Sequence, residues 1–176
     1  MLSIVELGNP VLRQEARALS KEEILSPPIL KLIQDMVAFT TGPSGGVGLA
    51  APQVGQSLQI IVIEDREEYQ KRFCTPEQLI ERERMPVPLH VIINPQITLD
   101  QQSGEAEFFE GCLSVPGLRG VVPRALAVTV TCLNEKAEPV TIRARGWYAR
   151  ILQHETDHLK GILFIDRARK ETLITV

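Results

Sequence analysis

The apolar positions Ile29, Leu32, Ile33, Met36 and Val37 recur at three- and four-residue intervals, which predicts an amphipathic helix over roughly residues 28–40. Ahead of it, Ser20 and Glu23 form a capping-box pattern, and Pro27 and Pro28 cut short any helix begun there. Gly8, Asn9 and Pro10 favour a turn, and the Gly/Pro/Ser-rich run 40–46 reads as a loop. Residues 59–64 form a short apolar run of strand length. Residues 90–94 and 128–133 are rich in β-branched side chains and bounded by breakers, so they read as strands as well. Residues 108–113 and 121–122 are candidate sheet edges. The clearest helical stretch is 146–161, with Gly161 positioned to end it; 162–165 returns to extended chain and 172–176 reads as a final strand. Strands that are not separated by regular helices predict an α+β fold with mainly antiparallel sheets.

The stretch 65–89 is dense in charge, carries Arg82-Glu83-Arg84 in sequence, and holds Pro76, Pro86 and Pro88. Its flanks are both strand-like, so it reads as a solvated insertion within one domain spanning residues 1–176. Hydrophobic residues at 44% and charged residues at 23% are globular values and exclude wholesale disorder. No apolar run approaches the length of a membrane-spanning helix. Nineteen basic against 22 acidic side chains leave no positive field for nucleic acid. The N-terminal residues have neither the basic start nor the apolar stretch of a signal peptide, and too little arginine for an intact transit peptide. Cys74, Cys112 and Cys132 are too few for a disulfide framework, which fits a reducing, cytoplasmic compartment.

Within the last helix, His154-Glu155-Thr156-Asp157-His158 is an HExxH pattern. Histidines four apart share a face, so both imidazoles can reach one cation with Glu155 beside it. Trp147 and Ile151 continue the face, which points it inward. A catalytic divalent metal usually takes three protein ligands and keeps one position open. No histidine follows His158, and Asp166 and Glu171 are too close in sequence to serve well, so the third ligand is expected upstream. Cys112 is the best candidate, with Gly111 before it and the turn-forming Pro116-Gly117 after it; Cys74 and Cys132 read as bystander thiols. Such a set would lower the pKa of a bound water, and Glu155 could shuttle its proton. The glycine-rich run 45–53 lacks the Gly-Lys-Ser/Thr ending of a phosphate loop. It suits backbone amides lying against a ligand chain, with Gln53 as a side-chain donor; alone, it is equally a flexible loop packed by Leu49.

Taken in order, Gly46-Val47-Gly48-Leu49-Ala50-Ala51-Pro52-Gln53, Glu110-Gly111-Cys112-Leu113-Ser114 and Gln153-His154-Glu155-Thr156-Asp157-His158 resemble the three signature motifs of peptide deformylase. Residues 8–13 and 161–167 resemble the family's start and end, so the likeness covers nearly the whole chain. The resemblance implies antiparallel sheets packed around a central HExxH-bearing helix. It implies hydrolysis of the N-formyl group, released as formate, from the formylmethionine of newly made polypeptides. One divalent ion is implied, Fe²⁺ natively, with Zn²⁺, Ni²⁺ or Co²⁺ as substitutes. Carried over, Cys112, His154 and His158 hold the ion and Glu155 is the general acid/base. Gln53 and the backbone amide of Leu113 stabilise the oxyanion. Val47 and Gly48 pair with the substrate as an added strand. Phe108, Glu110, Trp147, Arg150 and Ile151 join Val47 around the methionine side chain, the Arg150 stem bordering the pocket while its charge reaches water. Asp157, if buried, needs a partner, for which Arg124 is the candidate against a plain surface ion pair.

The implied partners are formyl-methionyl nascent polypeptides, with a transient ribosome contact left open, as is the choice between monomer and homodimer. Nucleic acid and membrane are not implied. The setting is a bacterial cytoplasm, or an organelle if a transit peptide has been trimmed. Two departures limit the likeness: the insertion is longer than in many members, and the chain stops soon after Arg167, so ribosome docking through a long C-terminal helix is not implied. Two other readings remain. A zincin-type peptidase requires a downstream ligand and leaves Cys112 and Gln53 unexplained. A non-catalytic metal-binding protein would normally close its site with a fourth protein ligand.

Overall fold

The computed structural model describes residues 2–43 and 45–176; Met1, and Ser44 within the predicted 40–46 loop, lie outside the described residues. The fold is α+β with antiparallel sheets. Helices α1 (Lys21–Ile24) and α2 (Pro27–Thr40) open the chain, the first closed by the Ser20/Glu23 capping box read from the sequence. A five-stranded sheet follows in the order β1 (Gly48–Ala50), β2 (Ile60–Asp65), β3 (Val87–Leu99), β6 (Ala127–Leu133) and β7 (Pro139–Arg145). β1 and β7 are its edges. A second sheet holds β4 (Glu105–Cys112), β5 (Val115–Ala125) and β8 (Ile174–Thr175).

The 13-residue β3 serves two neighbours, pairing with β2 through its first half and with β6 through its second. Asn94 sits at the changeover with φ 53°, a conformation asparagine tolerates better than most residues. Its amide is bonded on both sides to Leu19, donating to the carbonyl at 2.8 Å and accepting from the N–H at 2.9 Å.

Helix α5 (Gly146–Leu159) packs against strands of both sheets, among them β1, β3, β5 and β7. Ala149, Ile151, Leu152 and Leu159 put one face into the core beside Ile61, Ile63, Ile92 and Val130. Gly161, with φ 71°, follows the helix in the left-handed conformation that ends it, as expected.

Two expectations are corrected. Within the stretch 162–165 read as extended, Phe164 and Ile165 are helical: α6 (Phe164–Arg167) forms because the Asp166 carboxylate accepts from the Leu163 N–H at 2.8 Å and caps the turn. The charged stretch is not simply solvated. It folds as α3 (Glu67–Phe73) and α4 (Pro76–Glu81), α4 being capped by Thr75, and Arg84 makes a two-pronged ion pair with Asp65 at 2.8 and 2.9 Å, both side chains buried. No helix among the described residues is long and apolar enough to cross a membrane.

Candidate metal centre

The β4–β5 hairpin turns through Leu113 and Ser114, with Cys112 opposite Val115 and the register shifted between Glu110 and Cys112. Such a bulge re-aims the side chain at its end, here toward α5. His154 and His158, one helical turn apart, face it from α5. The Cys112 Sγ lies 3.3 Å from His158 Nε2, and one ligand atom from each of Cys112, His154 and His158 lies within 4.8 Å of the others. Ligands at tetrahedral positions about 2.0–2.3 Å from an ion stand roughly 3.3–3.6 Å apart, so the Cys112–His158 pair already has that spacing and the set could hold one divalent metal with a small closure on His154.

The other nitrogen of His154, Nδ1, lies 2.9 Å from Glu110 Oε2, an arrangement that orients an imidazole for metal binding. Glu110 is held in turn by Arg124, at 3.0 and 2.9 Å, and by Arg150 at 2.7 Å. Arg124 extends the network to Asp157 at 2.5 Å, and Arg167 grips the same carboxylate at 2.6 and 2.7 Å. Burial opposes ionisation of Glu110, but hydrogen bonds from His154 and Arg124 outweigh it and hold its carboxyl well below the usual carboxylate range. The Arg124–Asp157 pairing is buried, as the helix carboxylate required.

Glu155 is buried between His154 and β1. Burial pushes its carboxyl up to about 7, and its Oε2 has no partner among the described residues. Such an atom suits a proton-carrying water beside the ligand triad. Glycine at 48 makes room for it: a Cβ there would lie 2.4 Å from Glu155 Oε1. Gln53, also buried, is oriented by the Ala50 N–H, which donates to its Oε1 at 2.9 Å. Its Nε2 is thereby turned toward Cys112 Sγ, at 3.4 Å, and Ser114 Oγ, at 3.5 Å. Leu113 is exposed in the hairpin turn, and its amide finds no acceptor among the described residues.

Phe108 and Trp147 face each other with ring centroids 6.1 Å apart, while Val47 packs on the same core cluster as Ile151 and Trp147. The expected exposure of the Arg150 charge is corrected, and Glu110 takes a role behind the imidazole that was not expected. The Glu110 carboxylate is spent on Arg124, Arg150 and His154 and stands behind the imidazole. Arg150 does not send its charge to water: it is 4% exposed, and its guanidinium also donates to the carbonyls of Val122 and Ala106 at 2.9 and 2.6 Å. The sequence reading missed Arg167, ten positions from the Asp157 it grips, and the part of Glu110 in orienting His154, 44 positions away. A cavity of about 750 Å³ lies away from the triad, between α3, α4 and β7, and contains none of the ligand residues.

Comparison with known proteins agrees along the whole chain. The family model described as polypeptide deformylase matches residues 1–173. Peptide deformylase 1A, chloroplastic, of Solanum lycopersicum is 45% identical over 176 residues, covering 100% of this chain and 62% of the relative. The chain thus spans about three fifths of the length of that plant relative. Peptide deformylase of Carboxydothermus hydrogenoformans is 42% identical over 165 residues, covering 94% of this chain and 91% of the relative. A Met-Ala-Ser-bound peptide deformylase from Acinetobacter baumannii superposes with a TM-score of 0.81 at 34% identity, over 95% of this chain and 98% of that one. A family model matched over residues 1–173, together with a relative 42% identical over 91% of its own length, makes this chain a member of the polypeptide deformylase family.

Proposed function

We propose that the chain is a single catalytic domain that removes the N-formyl group, as formate, from the terminal formylmethionine of newly made polypeptides, with α5 as the central element. The observation that carries this reading is the convergence of Cys112, His154 and His158 beside a buried, unpartnered Glu155 oxygen and the Gln53 amide. The peptide Met-Ala-Ser, bound by the Acinetobacter baumannii relative, has the form of the reaction's product and adds support.

The triad would hold one divalent ion, which supplies Lewis acidity to the formyl carbonyl and to a water. Glu155 takes the proton from the attacking water and returns it to the departing amine. Gln53 Nε2 and the Leu113 N–H donate to the oxygen on which negative charge develops. β1 ends its sheet, so an extended peptide can lie along it as one more strand at Gly48 and the preceding Val47, whose carbonyl is already taken by the Glu64 N–H at 3.1 Å. Val47, Phe108, Trp147 and Ile151 give the methionine side chain an apolar surround.

Incubation with formyl-Met-Ala-Ser and with an unformylated peptide tests the reading. Formate without internal cleavage is expected. Internal cleavage would favour a zincin-type peptidase instead, and tight metal binding without either product a non-catalytic protein.

The native ion is proposed to be Fe²⁺, and the setting the cytoplasm of a bacterium or the interior of an organelle. A thiolate ligand opens a route for oxidative loss of iron. The iron form should therefore lose activity in aerobic buffer faster than the nickel form, and equal half-lives would count against it. Gln53→Ala is expected to lower kcat by about 10²–10³-fold, the usual effect of deleting one oxyanion donor. Gly48→Ala should fold but displace the Glu155 carboxylate, costing on the order of 10²-fold in kcat, the scale of an ångström-sized misplacement. A Gly48→Ala variant of normal kcat would remove the reason given for glycine there.

A further inference from the structure

The arginine run of the charged stretch lies beside aromatic residues carried by β4 and α5, the two elements that also bear the ligand triad. Phe108, Glu110 and Cys112 alternate along β4, and Trp147, Ile151, His154 and His158 follow one face of α5. Cys112 and the imidazoles form one end, the Phe108–Trp147 pair the other. Arg82 covers that pair, its guanidinium carbon 5.0 Å from the Trp147 ring centre and 5.6 Å from that of Phe108. What remains is a cavity of about 10 Å³, bounded by Arg82, Phe108, Gly146, Trp147 and Arg150, among others, and barely the size of a water molecule.

The backbone around Arg82 is fixed. Arg84 is pinned in its buried pair with Asp65, and Arg145 holds Glu83 at 2.7 and 3.2 Å. Glu83 has φ 46° and lies against the first residue of α5: a Cβ at Gly146 would stand 2.4 Å from the Glu83 Cβ. The Arg82 side chain, by contrast, makes no ion pair among the described residues; its Nη1 donates only to Cys74 Sγ, at 3.6 Å, and its Nε is buried with no acceptor. The neighbouring Trp147 Nε1 is likewise buried without one. Arg84 and Arg150 also approach the Trp147 ring, at 5.0 and 5.7 Å, but both are held in buried ion pairs, so Arg82 is the one of the three without an ion pair among the described residues.

Resting on the deformylase reading, we propose that Arg82 is a specificity-determining residue. Its guanidinium plate is the end wall of the pocket for the substrate's first side chain and sets how large that side chain can be. The charged stretch between β2 and β3 thereby contributes to substrate choice.

The test compares kcat/KM for formyl-Met-Ala-Ser and formyl-Phe-Ala-Ser in the metal-loaded protein, in Arg82→Ala, in Arg82→Lys and in the exposed control Glu81→Ala. In Arg82→Ala the Phe/Met ratio is expected to rise about tenfold, chiefly through KM, with kcat for formyl-Met within about threefold of the parent. Arg82→Lys, which keeps the charge but loses the plate, should show a smaller rise, and Glu81→Ala none. An unmoved ratio in either arginine variant overturns the proposal, as does an equal rise in Glu81→Ala, which would assign the effect to general loosening. If Arg82→Ala does not fold, Arg82→Lys decides. A parent protein that releases no formate from either peptide overturns the deformylase reading and this proposal with it; formate release with an unmoved ratio overturns this proposal alone.

Discussion

Replacing Glu155 by glutamine is expected to lower kcat for formate release by about 10²–10⁴-fold, the range for loss of a general acid/base. Glutamine matches glutamate in shape, so the contact with Gly48 and the packing of α5 survive, and Cys112, His154 and His158 keep their donor atoms. What disappears is a carboxylate whose pKa burial has raised to about 7, close to the value at which a group both takes and returns a proton. Metal content and Tm should therefore stay near the parent's while turnover collapses. A loss below tenfold with the metal retained would show that the proton travels by another group.

Glu110→Ala should act on the fold and the metal together. The Glu110 carboxylate receives Arg124, Arg150 and the His154 imidazole in a region with almost no water, its side chain 5% exposed. Deleting one partner of a buried ionic network leaves the others uncompensated, at a cost of about 3–5 kcal/mol, or roughly 6–20 °C in Tm for a chain of this size. His154 also loses what orients it, and metal affinity should fall about 10–100-fold. Thermal unfolding with metal titration separates the two effects. A Tm within 2–3 °C of the parent, on the order of 1 kcal/mol, would mean that Arg124 and Arg150 find other acceptors or water.

Features set by neighbouring residues were legible in the sequence. The 28–40 periodicity became α2, and the Ser20/Glu23 spacing became a working cap. His154 and His158 had to face one way once their segment was helical, and Cys112 meets them. β7 was readable too, since Val140, Ile142 and Ala144 alternate with polar residues, but it was passed over. Features that depend on distant pairing were not legible. Arg84 reads as a surface charge until Asp65, nineteen positions earlier, is placed against it. The pairing of Glu110 with His154, 44 positions later, has no local signal either. Arg150 kept its predicted helix but not its predicted exposure, because β4 and β5 surround it with carbonyls that no local pattern announces.

The distance between the sulfur ligand and the last imidazole has a consequence for how the molecule is made. Cys112 and His158 are 46 positions apart. During synthesis the hairpin bearing the thiol emerges well before the helix that completes the set, and until then no partial chain contains all three donors. If the triad holds an ion as proposed, its capture would come late, as a checkpoint on assembly that rewards only a chain whose hairpin and helix have already met. Truncated or misassembled copies lack the means to become active.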